Sequence, residues 1–130
     1  MLRLLLSATA LFAAVPAAAQ DGPEEAPAGH KWMNCGVDYL RGYDAGYVMG
    51  GPWLVKLPEG VPNDQLNAMG EQFASEYVAR QMSSDLPGAK TRGPGRCAIN
   101  QTLSDRRYYS KNAEKAPNYY HTSFKPSFAK

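Results

Sequence analysis

The stretch that decides the fold reads Cys35-Gly36-Val37-Asp38-Tyr39-Leu40-Arg41-Gly42-Tyr43-Asp44-Ala45-Gly46-Tyr47-Val48-Met49-Gly50. Cys35, Tyr39, Tyr43 and Tyr47 recur at every fourth position, and Gly42, Gly46 and Gly50 form a parallel row one place behind. That spacing predicts a helix, with Asn34 as its N-cap and Gly50-Gly51-Pro52 ending it. Each glycine costs a helix about 1 kcal/mol relative to alanine. The row therefore requires a second backbone packed closely against that face.

Working outward, Trp53-Leu54-Val55-Lys56-Leu57 lies between Pro52 and Pro58 and is too short for a stable helix. It reads as a short extended segment or an irregular link that tucks Trp53 and Leu54 under the helices. Pro62-Asn63-Asp64-Gln65 then opens the strongest helical pattern, over about 64–82. Leu66, Met69, Phe73, Tyr77 and Val78 supply its core residues, and Glu76 with Arg80 makes an i, i+4 pair. Residues 83–96 hold two prolines and three glycines among Lys90, Arg92 and Arg96, the composition of a long basic loop. Cys97-Ala98-Ile99 with Leu103 reads as a short helical element in preference to a strand. Beyond Tyr109 there is no periodic apolar row, so a tail that is disordered, or ordered by a partner, is expected.

The N-terminus carries an address. Arg3 supplies a positive n-region, residues 4–15 are apolar, and Ala17-Ala18-Ala19 offers a signal-peptidase site. The run is shorter than a membrane span requires, and no cysteine stands directly after the cleavage site, Cys35 lying well beyond it, so lipid anchoring is not indicated. A signal peptide over 1–19 delivers a mature chain without a membrane span. The alanine-rich cleavage region points to the bacterial periplasm, with secretion as the alternative. Two cysteines in an oxidising compartment allow one pairing, Cys35 with Cys97. Closing that loop removes about 4 kcal/mol of unfolded-state entropy in the chain-entropy model.

These readings give a mainly α fold: a small disulfide-stapled helical domain over 31–109, after a flexible acidic linker (20–30) and before a basic aromatic tail (110–130). A chain of 130 residues has room for one such domain. Its charge is divided unevenly. Residues 20–85 hold four basic and ten acidic side chains, a net of −6, whereas 86–130 hold nine and two, a net of +7. Lys90, Arg92, Arg96, Arg106, Arg107, Tyr108 and Tyr109 are the candidate residues for binding a partner or an anion.

Catalytic patterns are missing. The two histidines, His30 and His121, fall in the expected linker and tail, where nothing would hold a general base in place. Asp38 with Asp44, and Glu71 with Glu76, lack the spacing that would set both carboxylates on one helical face. The sequence has no metal-ligand motif, no Cys-x-x-Cys and no phosphate-binding fingerprint, so no cofactor or metal is expected and no catalytic residue is assigned. The interleaved cations and aromatics of the tail suit an anionic envelope polymer or an acidic protein; nucleic acid is not expected in the envelope.

Cys35 followed by Tyr39-Leu40-Arg41-Gly42, then Leu57-Pro58-Glu59-Gly60-Val61 and Gln65-Leu66 leading into the long helix, resembles the type VI secretion amidase immunity protein family. Its members are small periplasmic helical proteins that bind and block a toxic peptidoglycan amidase. The sequence departs from that pattern at Lys56, where the family has a cysteine, and in its basic tail, where the family has a helix and a cysteine. The resemblance implies a noncatalytic immunity or inhibitor protein with a protein partner in the envelope. A periplasmic stress chaperone and an accessory subunit of an envelope complex are the alternatives.

Overall fold

The stretch read as a glycine-rich helix is a β-hairpin. The computed structural model describes residues 24–100 and 118–129. In it β1 (His30–Arg41) and β2 (Asp44–Lys56) pair antiparallel with Arg41 opposite Asp44, so Gly42-Tyr43 is a two-residue loop. Gly42 has φ +65°, the left-handed backbone that the first position of such a loop takes and that glycine adopts without a Cβ clash. A spacing of four is about one helical turn but also two strand repeats, so it does not discriminate between the two structures. The glycine row, costly to a helix, is accommodated in the sheet by aromatic cover. The Tyr39 ring lies over Gly46 and the Tyr47 ring over Gly36, and a Cβ on either glycine would collide with the ring.

The three tyrosines that share one helical stripe on paper therefore separate. Tyr39 is buried in the core, Tyr43 stands fully exposed at the hairpin tip, and Tyr47 is partly buried on the opposite face of the sheet. Asn34 caps no helix. It is buried in β1 and donates from Nδ2 to the Gly50 carbonyl at 2.9 Å.

β1 pairs on its other side with β3 (Lys90–Asn100), also antiparallel, and β2 pairs in parallel with β4 (Tyr119–His121), giving the order β3-β1-β2-β4. The fold is thus mainly β, with a four-stranded mixed sheet and two helices, α1 (Asn63–Arg80) and α2 (Met82–Asp85). The mainly α expectation fails at one further place, Cys97-Ala98-Ile99, which belongs to β3, whereas Trp53–Lys56 is extended and continues β2. Of the basic segment 83–96, expected as a long loop, residues 83–85 belong to α2, 86–89 form a turn and 90–96 belong to β3. Gly93-Pro94-Gly95 can enter a strand because β3 is an edge whose register with β1 shifts between Gly36 and Asp38, and bulged edges are where sheets tolerate proline.

Cys35 and Cys97 are directly opposite in this register, 4.0 Å apart at Cα, and form the disulfide. A bridge between chain positions this distant marks an oxidising, extracytoplasmic compartment.

α1 lies across one face of the sheet, against β3 and β1. Its apolar stripe meets Met33, Cys35, Val37 and Tyr39 of β1 and Val48 and Val55 of β2 in a single core. Phe73 and Tyr77 are fully buried and stacked, with ring centroids 5.8 Å apart, while Leu66 and Met69 pack at the edge. Val78, expected in the core, is 48% exposed. It follows Tyr77 by one residue, about 100° around the helix, which turns it out of the stripe.

Residues 118–129, expected to belong to a tail, form a strap that completes the core. Asn118 accepts at its carbonyl from the Tyr47 N–H at 3.2 Å and the Tyr39 hydroxyl at 2.9 Å. Phe124 then enters the aromatic cluster, 5.6 Å from Tyr77 and 6.0 Å from Phe73. Pro126 and Ala129 are also buried. Three isolated apolar anchors give no periodic row, which is why the segment reads as a tail.

Candidate functional site

Along β3, residues 90–94 are exposed at every position. A strand with one face on a core alternates between buried and exposed, so this end of β3 projects past the cover of α1. Among the described residues β1 is its one partner strand. Gly93, with φ +84°, and Pro94 interrupt the outer edge, which protects it against strand addition. Recognition here must run through side chains.

The register arranges those side chains. Lys90 lies opposite Leu40, Arg92 opposite Asp38 and Arg96 opposite Gly36. Positions 36, 38 and 40 of β1 share a face, the one turned away from α1, so the three cations share it too. All three are exposed. Asp38 is the carboxylate among them, and it does not pair with the residue facing it. Its Oδ2 accepts from Nη2 of Arg96 at 3.2 Å, while the side chain of Arg92 has no hydrogen bond or ion pair among the described residues. Beside Arg92 is an open depression of about 460 Å³, lined by Asp38, Tyr39, Ala45, Gly46, Arg92 and Gly93.

Of the residues singled out in the sequence, Lys90, Arg92 and Arg96 are therefore brought together. Arg106, Arg107, Tyr108 and Tyr109 lie outside the described residues, as does the signal peptide. Asp38 and Gly46 were missed, because only the strand register sets them beside Arg92, and Gly93, its neighbour in the chain, reads as part of a loop. His30 and His121 belong to β1 and β4. Their ring nitrogens contact the carbonyls of Ala28 at 3.1 Å and Gly51 at 2.7 Å, respectively.

A second polar cluster binds the strap to the helices. Asp85 Oδ2 accepts from the Thr122 hydroxyl at 2.6 Å and the Tyr77 hydroxyl at 3.0 Å. Burial, reinforced by the hydrogen bond to Asp85, pushes the Tyr77 phenol well above its ordinary pKa. The phenol thus stays protonated as a structural donor. Glu76 accepts from the Ser127 hydroxyl at 2.6 Å and its N–H at 2.8 Å. The Ser127 hydroxyl is the main cause holding the Glu76 carboxyl below the usual range, against a smaller opposing effect of burial. Both carboxylates are engaged in holding the strap.

Among the described residues no three His, Cys, Asp or Glu side chains converge as metal ligands, and no helix is long and apolar enough to cross a membrane. No family model matches the chain, and neither the curated proteins nor the solved structures contain a match.

Proposed function

We propose that this is a noncatalytic periplasmic protein that binds an acidic protein partner in the envelope, as an immunity or inhibitor protein does to an envelope-acting enzyme. The observation that carries the reading is the exposed end of β3, where Lys90, Arg92 and Arg96 share one face and Asp38 neutralises Arg96 alone. Three cations against one carboxylate leave a local charge of +2 on a rigid strand stapled at Cys97. Such a patch steers an acidic partner and fixes its orientation.

Retention of envelope proteins by the immobilised mature chain tests this. One stoichiometric acidic partner is expected at neutral pH, released as salt rises, with Lys90→Glu/Arg92→Glu weakening it by roughly tenfold or more. A partner held equally well by the double reversal contradicts the reading.

A further inference from the structure

Resting on that reading, we propose that the depression beside Arg92 is an anchor site for an acidic residue in an extended segment of the partner, whose carboxylate takes the Arg92 guanidinium and whose backbone N–H donates to Asp38.

The division of labour between the two arginines leads to this assignment. Asp38 faces Arg92 across the ladder, yet its Oδ2 is held by Arg96. The consequence is a pair of complementary unused groups on one face. One is the Arg92 guanidinium, a planar donor fork that matches a carboxylate two bonds at a time. The other is Asp38 Oδ1, which accepts no hydrogen bond among the described residues. An acidic residue in an extended chain offers the converse set, a carboxylate acceptor and an amide donor. A phosphate monoester dianion offers acceptors only and brings two negative charges towards Asp38 where the carboxylate brings one. That contrast separates an acidic peptide from a phosphate-bearing surface.

The shape agrees with the chemistry. The depression has a volume of about 460 Å³ and is lined in part by Ala45 and by Gly93, which carries no side chain. A Cβ on Gly93 would meet open space. Backbone can therefore approach backbone here, as an extended segment requires. Lys90, on the same face, extends the positive potential along the strand and serves approach rather than anchoring.

The probe is an acetylated, amidated tri-glutamate peptide, titrated at low salt into the isotope-labelled full chain while its NMR spectrum is followed. Saturable shifts are expected at the Arg92 Nε–H and at the amides of Gly46 and Gly93. Binding should weaken by roughly tenfold or more in Arg92→Gln and remain unchanged in Lys125→Gln, an exposed lysine on the strap. Phenyl phosphate, a monoester dianion above its second pKa, should not reproduce the saturable pattern.

Three results would overturn the assignment: no peptide binding, peptide shifts indifferent to Arg92→Gln, or peptide and phosphate shifts spread alike over Lys90, Arg92 and Arg96. Amide shifts away from the site report that each variant is folded. If the anchor fails while Lys90→Glu/Arg92→Glu still releases the partner, the acidic-partner reading stands without it. If the double reversal also leaves the partner bound, both fall.

Discussion

Gly70 of α1 and Gly95 of β3 meet backbone to backbone. A Cβ on Gly70 would lie 2.7 Å from the Arg96 Cα and collide with the Gly95 carbonyl, and a Cβ on Gly95 would collide with the Gly70 carbonyl. This contact seats the helix on the strand that bears Arg92 and Arg96. Helix propensity alone predicts that Gly70→Ala stabilises α1 by about 1 kcal/mol. Overpacking against rigid backbone costs more, about 1–3 kcal/mol. Gly70→Ala is therefore expected to lower the urea midpoint, and a raised midpoint would show that α1 can move off β3 freely.

The Cys35–Cys97 bridge joins a central strand to the edge strand across 62 positions of sequence. Replacing both cysteines with alanine should cost about 2–5 kcal/mol, seen as a melting temperature lowered by roughly 10 °C or more. An unchanged melting temperature would mean that the β1–β3 ladder holds β3 without the bridge.

Glu76 makes the strap acid-sensitive. Its native pKa lies below the ordinary value of 4.5, so its contribution is fully present above the unfolded-state pKa. The contribution is lost as pH falls through the lower native value. Glu76→Gln should therefore destabilise the protein at neutral pH and flatten the acid limb of its stability curve. Denaturant unfolding at a series of pH values checks this, and an acid limb of the same slope in the variant would place the sensitivity elsewhere.

Phe124 is the strap's apolar anchor, 6% exposed and set against Phe73 and Tyr77. Phe124→Ala should cost about 3–5 kcal/mol and accelerate amide exchange in 119–129 more than in β1. Uniform loss of protection through both segments would show that the strap does not open separately.

How far the sequence reveals this fold depends on which signals are local. α1 is legible because Leu66, Met69, Phe73 and Tyr77 repeat at helical spacing within one element, and the disulfide because two cysteines allow one pairing. The hairpin is not, since Tyr39, Tyr43 and Tyr47 satisfy helix and strand periods alike. The hairpin signal was the Gly42-Tyr43-Asp44 turn itself. β3 is hidden by Gly93-Pro94-Gly95, which reads as loop unless the strand is known to be a bulged edge. In the candidate site, the cations Lys90, Arg92 and Arg96 were legible from composition. That they share a face, and that Asp38 passes over Arg92 for Arg96, depends on a register shift opposite Val37. No pattern within β3 alone encodes that shift.

The central claim, that the exposed end of β3 receives the partner, is tested most directly by photo-crosslinking in the envelope. A photoreactive side chain is placed at Leu40, exposed on the cation face opposite Lys90, or at Val78, exposed on α1. The account predicts one discrete crosslinked protein from Leu40 and none from Val78. A discrete product from Val78 with none from Leu40 would contradict it.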